Sequence, residues 1–415
     1  MRVADVLKNR DFDLYWTGVV FSQIGTRGTV AANLYQVYDL TGSVTQTGLV
    51  GAGQAVALLV LSPLGGVFAD RWDRRRLLQW SQAVAMVVAA LLAALTLTGH
   101  IVAWQVLVSV VLTTAAATFD QPARQALIPA LVPRAQLPQA FALLNPSREI
   151  AVLLGPALAG IFIGIAGPGL MYAVDAGTYA VLVVVLQLLR VTKLEGAGAH
   201  ISVWRQLADG ARFVKGRKII WMLMSLDLSA TLFGAYRVVL PALCATVFHV
   251  GPQGYGLLSA APSAGALLAT YTVFKTVGQT RRLGRVLLVS TVFYGLANIG
   301  LAQAHIFVIA VGAGLLIGAF DAMTTTIRHA AVQLETPDEL RGRVSAIYQM
   351  SSRGGPALGD TLVGAAAGAL GPVTALTLGG ALAALYACGF MVRPNPVRAY
   401  AGVTQEEEAA VATGA

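Results

Sequence analysis

Charge is scarce in this sequence. Aspartate, glutamate, lysine and arginine make up 12% of its 415 residues, about half the share of a soluble globular protein. So few charges cannot coat a water-facing surface of this size, which excludes an ordinary soluble domain. Cysteine is scarcer: Cys244 and Cys388 both lie inside apolar runs. They offer neither a disulfide framework nor metal-ligand spacing and read as small core residues. The five histidines are scattered and make no metal pair, so neither metal nor cofactor is expected. No Gly-x-x-x-x-Gly-Lys-Ser/Thr loop occurs, which argues against ATP hydrolysis by this chain. No paired-acid motif or His-Glu-x-x-His helix occurs either, which argues against an intramembrane enzyme. The longest polar gap between apolar runs, residues 191–218, is too short for the soluble signalling domain that a membrane receptor usually carries.

Hydrophobic runs are what the chain has in abundance. Hydrophobic residues make up 56% of it, and the mean hydropathy is +0.68. A membrane-spanning helix needs about 20 predominantly apolar residues. Such runs fall near 13–38, 46–69, 77–98, 102–121, 138–166, 169–190, 219–248, 254–276, 285–303, 305–326, 342–369 and 372–392. The expected fold is therefore an all-α membrane protein with twelve transmembrane helices. The first run is long enough to stay as an uncleaved span. Three connections are very short, at Gly99 to Ile101, Gly167–Pro168 and Gly371–Pro372, and force antiparallel neighbours.

The expected organisation is an N-terminal bundle over 1–190, a cytoplasmic linker over 191–218, a C-terminal bundle over 219–393 and a disordered tail over 394–415. In the linker Trp204, Leu207, Ala208 and Ala211 recur at helical spacing against Arg205, Arg212 and Lys215, the pattern of an amphipathic interfacial helix. The net charge of +9 does not call for nucleic acid, because the basic residues cluster in short gaps. Twenty-five of the 29 lysines and arginines fall before the first span, after the last, or in alternate gaps, Arg124 and Arg328 being counted with the gaps. Positive charge stays inside, so both termini are expected in the cytoplasm of a cell bounded by a plasma (inner) membrane. Trp16, Trp80 and Trp104 fit interfacial belts.

The halves repeat. Phe119–Asp120 recurs as Phe320–Asp321 at an offset of 201, Gly155-Pro156-Ala157-Leu158 as Gly355-Pro356-Ala357-Leu358 at 200, and Val37–Tyr38 as Val247–Phe248 at 210. Two parallel six-helix repeats place a site near the midplane.

The gap after the second run reads Gly66-Val67-Phe68-Ala69-Asp70-Arg71-Trp72-Asp73-Arg74-Arg75-Arg76. It resembles the major facilitator superfamily signature Gly-x-x-x-Asp-Arg-x-Gly-Arg-Arg/Lys, with Asp73 in place of a glycine. Tyr35-Gln36-Val37-Tyr38-Asp39-Leu40-Thr41-Gly42-Ser43, Phe119-Asp120-Gln121-Pro122-Ala123-Arg124 and Gly155-Pro156-Ala157-Leu158-Ala159-Gly160 are similar to its enterobactin-exporter-like branch, which includes siderophore and macrolide exporters. The resemblance implies a secondary active transporter that works as a monomer and exports a small siderophore- or antibiotic-like molecule by alternating access. A broad multidrug pump and, more distantly, a non-transporting membrane receptor are the alternatives. The resemblance also implies a cytoplasmic latch built by Gly66, Asp70, Arg71 and Arg74, with Arg75 and Arg76 serving topology alone.

Four arginines, Arg27, Arg148, Arg237 and Arg353, fall within predicted spans. A charge at the bilayer centre costs at least about 2.5 kcal/mol, so each needs a cavity or a partner. Arg27 and Arg237 are related by the 210-residue offset and are expected to face a central cavity as anion-binding groups, with Gln23, Asn33, Gln36 and Tyr236 around them. Any of those four can equally be an interhelical hydrogen bond. Asp227, then Asp360 and Glu149, are the candidate proton carriers, exchanging with protons as second substrate. Arg148 and Arg353 are candidate ion-pair partners. Gly155–Pro156 and Gly355–Pro356 serve either as hinges or as close-packing sites.

Overall fold

Long apolar runs punctuated by glycine and proline fold into helices and, among the described residues, into no strand. The computed structural model describes residues 3–71, 73–190, 203–280 and 282–402, and their side chains except at 3–5, 62–71, 203–207 and 278. The α-helices are α1 Arg10–Thr41, α2 Val44–Arg71, α3 Arg74–Leu97, α4 Ala103–Leu131, α5 Leu137–Ala166, α6 Pro168–Leu188, α7 Val203–Gly216 and α8 Lys218–Phe233. They continue as α9 Leu240–Thr246, α10 Pro252–Gln279, α11 Leu283–Ala302, α12 Phe307–Leu334, α13 Asp338–Leu370, α14 Pro372–Val392 and α15 Pro396–Ala399.

Ten segments, α8 and α9 counted together, are long and apolar enough to cross a membrane. The more charged α1 and α13, of 32 and 33 residues, complete twelve. At 1.5 Å per residue these two reach about 48 Å, longer than a hydrocarbon core of about 30 Å. Their charged ends therefore project into the headgroup region. The three short connections turn at Gly99, Gly167 and Gly371, whose φ of 73°, 75° and 84° is open to glycine without a Cβ clash.

The chain forms two compact units. One holds Met1–Trp204 and Arg237–Ala260, the other Arg205–Tyr236 and Ala261–Ala415. The seventh span is thus divided, α8 belonging to the second unit and α9 to the first. The expected unbroken run over 219–248 gives way at Gly234–Tyr236, followed by a 3-10 turn at Arg237–Val239. Tyr294 on α11 donates to the Gly234 carbonyl at 3.0 Å, supplying the partner that a broken helix loses inside lipid.

Helices α4 and α12 run about ten residues beyond their expected ends, through Pro122 and Pro129 in α4. Arg124 and Arg328 are therefore helix residues, not loop residues. The tail also departs from expectation. Residues 394–402 are ordered, while 403–415 lie outside the described residues. Asn395 caps α15 through the Arg398 N–H, Val397 is fully buried, and Gly284 N–H donates to Tyr400 O at 2.9 Å. A Cβ on Gly284 would collide with the Val397 carbonyl, so α15 lies directly on the start of α11. Val397→Ala should lower stability by about 2 kcal/mol, read as a fall in the melting temperature of the purified protein. An unchanged melting temperature would remove α15 from the packed core.

In the linker, α7 turns Gly210 and Val214 inward and leaves Ala208 and Ala211 exposed; its buried face is about a quarter turn from the expected apolar one, and the Trp204 and Leu207 side chains lie outside the described residues. A Cβ at Gly210 would sit 2.9 Å from Ile347 and 3.0 Å from Arg343 O, and Arg343 pairs with Asp209 at 3.4 Å. The helix is docked on α13 by the one glycine whose missing side chain permits contact.

Candidate functional site

In the first unit α1 is the central element, packed on α5 and α6. Helices gain little hydrophobic energy from each other in lipid, so small residues that allow backbone contact decide where they cross. A Cβ on Gly155 would stand 2.5 Å from Arg27 Cβ and 2.8 Å from Gly28 N. The α1–α5 crossing therefore sits at Arg27. Arg27 and Gln23, one turn apart, are both half-buried. Arg237 and Tyr236 are half-buried as well. Arg237 opens the 3-10 turn that packs on α2, and α9 after it lies against α1. Arg27 and Arg237 thus belong to one compact body.

The neighbours of these arginines divide sharply. Asn33 is 4% exposed, and its Oδ1 has no hydrogen-bond partner among the described residues. Gln36 is a correction. Its carbonyl accepts from Tyr172 at 2.7 Å and its amide donates to Thr96 at 3.1 Å. Both ends help tie α1 to α6 and α3, and at 2% exposure the side chain is packed between helices and does not face an open cavity. Trp16 is a second correction: its indole donates to Ser147 on α5 at 3.0 Å, an interhelical bond and not an interfacial belt. Trp80 and Trp104 are 66% and 62% exposed, as a belt requires.

Arg148 and Glu149 are exposed on α5 beside Asn145 and form no ion pair among the described residues. Arg353 is exposed and Asp360 buried on α13, so the seven-residue spacing does not give them one environment.

At the arginine-rich end, α2 reaches Arg71, and the side chains of Gly66-to-Arg71 with residue 72 lie outside the described residues. The expected Asp70–Arg71 latch falls there. Asp73 takes the glycine position of the signature for a local reason. Its carboxylate accepts from the Arg76 N–H at 2.9 Å and so caps α3, where free N–H groups favour an aspartate. Arg74 donates to Ala126 O at 3.4 Å. Arg75, expected to serve topology alone, donates to Leu186 O at 2.5 Å and Gln187 O at 2.7 Å. It occupies the negative end of α6.

Two buried polar clusters were not foreseen. In the first unit Arg124 pairs with Asp120 at 2.5 Å, Gln82 donates to Asp120 at 2.7 Å, and Ser22 donates to Gln82 at 3.2 Å. These join α4, α3 and α1. In the second unit Arg328 on α12 pairs with Asp227 on α8 at 2.7 Å. It also donates through Nε to Tyr348 on α13 at 3.2 Å and through Nη2 to Thr325 at 3.1 Å. Arg328 and Asp227 are 4% and 3% exposed. The signal was the continued 3–4 periodicity of Ala123, Leu127 and Leu131, and of Thr324, Ile327 and Ala331, past the ends assigned to the spans.

The second unit repeats the small-residue crossing. Gly355 and Gly359 on α13 face Thr231 on α8; a Cβ on Gly359 would collide with the Thr231 carbonyl. Helices α5 and α13 both continue through their prolines, Pro156 and Pro356.

Comparison with known proteins agrees with this architecture. The solved nucleoside transporter NupG superposes over 92% of this chain and 98% of its own, with a TM-score of 0.72 at 15% identity. A D-xylose–proton symporter gives 0.70 at 14% identity, over 92% of this chain and 98% of its own. At those identities the likeness establishes the major facilitator fold. Among sequences, the enterobactin exporter EntS of Citrobacter koseri is 27% identical over 83% of this chain and 82% of its own. The staphyloferrin A transporter of Staphylococcus aureus is 27% identical over 80% of this chain and 83% of its own. These relatives are transporters and not enzymes. A family model described as transmembrane secretion effector matches residues 4–411. By that near-complete match the chain belongs to the transmembrane secretion effector family of the major facilitator superfamily.

Proposed function

We propose that this transporter exports a small anionic organic molecule, of the siderophore or antibiotic-like class, in exchange for protons by alternating access. Export and the siderophore class are supported by relatives whose names describe an enterobactin exporter and a staphyloferrin A transporter. The anionic preference rests on one observation: Arg27 and Arg237 are both half-buried within the same unit. At membrane depth the part of a guanidinium that is not buried against protein faces water or a ligand whatever else the side chain bonds to, and a guanidinium fork suits carboxylate and catecholate oxygens. Gln23 and Asn33 are the polar residues of the same unit in this reading, Asn33 offering a spare acceptor. Gln36 is left out because it is buried between α1, α3 and α6.

The proton carrier in this reading is Asp227, with Asp360 as the second choice. Asp227 is held by Arg328, so proton uptake there loosens the tie between α8 and α12. The basic residues at one end of the helices orient that end, with both termini, to the cytoplasm of the inner membrane.

The test uses purified protein in proteoliposomes with an imposed pH gradient and a catecholate siderophore as substrate. A charged hydrogen bond contributes about 1.5–3 kcal/mol, so Arg27→Gln and Arg237→Gln should each weaken half-saturation at least about tenfold. Protein yield should hold. Unchanged half-saturation in both variants would end the anion reading. Equal transport of uncharged macrolides by wild type would point to a broad efflux pump instead.

A further inference from the structure

Asp321 stands one turn beyond the tight top of α12 and is exposed. Its exposure is out of place. Gly314, Gly318, Asp321, Thr325, Arg328 and Val332 follow each other at spacings of three and four and so form one stripe of the helix. Gly314, Gly318, Arg328 and Val332 are all buried. The lipid side of α12 is marked by Ile309 and Leu316, 55% and 52% exposed. Leu316 lies five residues from Asp321, about 140° around the helix. The opening at Asp321 is therefore on the protein-facing side, where an ionised group in a membrane must meet water or a partner.

Thr325 sits beside the Asp321 carboxylate and accepts from Arg328 Nη2 at 3.1 Å. The same Nη2 lies 2.7 Å from Asp227 Oδ1 in an ion pair. A single guanidinium is thus flanked by two carboxylates, one buried on α8 and one with open surface on its own helix. The groups facing the pair are Asp321 from α12 and Tyr348 from α13. His329 lies edge-on to the Tyr348 ring at 5.4 Å. With both acids ionised, Arg328 neutralises only one of them.

We propose that Asp321 is the alternative acceptor for Arg328, so that the guanidinium changes partner from Asp227 to Asp321 when one proton binds. A hydronium ion gives its proton to an Asp227 carboxylate oxygen; one O–H bond forms there, one breaks in the hydronium, and a neutral water is left. The neutral carboxyl releases Nη2, which turns past Thr325 to Asp321. The charge of the cluster goes from −1 to 0, and the tie between α8 and α12 becomes a bond within α12. Loss of the proton reverses each step. Asp321 acts here as a positioning residue.

This device builds on the proton-exchange reading above, but its test reads protonation and stability, not transport, so either can fail alone. Difference infrared spectroscopy on acidified wild-type protein should show one carboxyl band that both Asp227→Asn and Asp321→Asn lack. Each single variant keeps one acid for one arginine, and that acid stays paired and ionised. Persistence of the band in Asp227→Asn would mean that Asp321 titrates on its own and would overturn the proposal. Melting temperatures give the second arm. Asp227→Asn and Asp321→Asn should each stay near wild type. The double variant strands Arg328 and should melt about 10 °C lower. If Asp227→Asn alone falls as far as the double variant, Asp321 does not take over Arg328 and the idea is wrong.

Discussion

Replacing Arg328 by leucine is expected to remove most folded protein from the membrane. The guanidinium serves three helices: Asp227 on α8, Tyr348 on α13 and Thr325 on α12 itself. Leucine leaves Asp227 buried with no cation, and breaking a buried pair from one side costs about 3–5 kcal/mol. Lysine should recover only part of this. It is a single point donor and cannot reach Asp227 and Tyr348 together as the fork does. The informative partner is the double variant Arg328→Leu with Asp227→Asn. Removing both charges removes the desolvation problem, so yield and melting temperature should recover well above the single variant. Size-exclusion profiles of detergent-solubilised protein would read all three. A leucine variant as stable as wild type would show that the pair contributes nothing to the bundle.

The same arginine explains why the fold was more legible than the site. Twelve apolar runs, their short glycine turns and the doubled Gly-Pro sequences are one-dimensional signals, and lipid enforces them. Every backbone group must be satisfied within a helix, so long apolar runs leave no competing structure. A charged residue near the end of a run carries no such signal. Arg124 and Arg328 look like loop residues because positive charge belongs in loops and because Pro122 and Pro129 look like helix ends. In the structure they are helix residues, each paired with a carboxylate from the same or a neighbouring helix. The break in the seventh span was hidden for a related reason. Asp227 and Arg237 fall in one apolar run, but the chain breaks at Gly234–Tyr236 and carries the arginine into the other compact unit. Asp73 shows the reverse case. Its departure from the family glycine was visible, and the capping rule at the start of α3 accounts for it.

The second large effect is expected at the two helix crossings that the repeat makes equivalent. Gly155→Val places three extra carbons against Arg27 Cβ and Gly28 N, which Gly155 already approaches as closely as a Cβ-less residue can. Backbone atoms on the far side cannot rotate away, so the cost should reach the upper end of overpacking, about 3 kcal/mol or more. Because the contact is at Arg27, transport of an acidic substrate should suffer beyond the loss of protein. In the second unit two neighbouring glycines separate side-chain from backbone resistance. Gly355 faces the Thr231 hydroxyl, 2.7 Å from a built Cβ, whereas Gly359 faces the Thr231 carbonyl. Gly355→Ala should therefore be tolerated, since the hydroxyl can turn aside, and Gly359→Ala should not. Gly177 on α6 has nothing within 4 Å of a built Cβ. Gly177→Ala should hold or raise the melting temperature, by up to about 1 kcal/mol of helix propensity. Yield and melting temperature of the four variants rank these expectations directly. If Gly359→Ala behaves like Gly177→Ala, close backbone contact is not what holds α13 against α8.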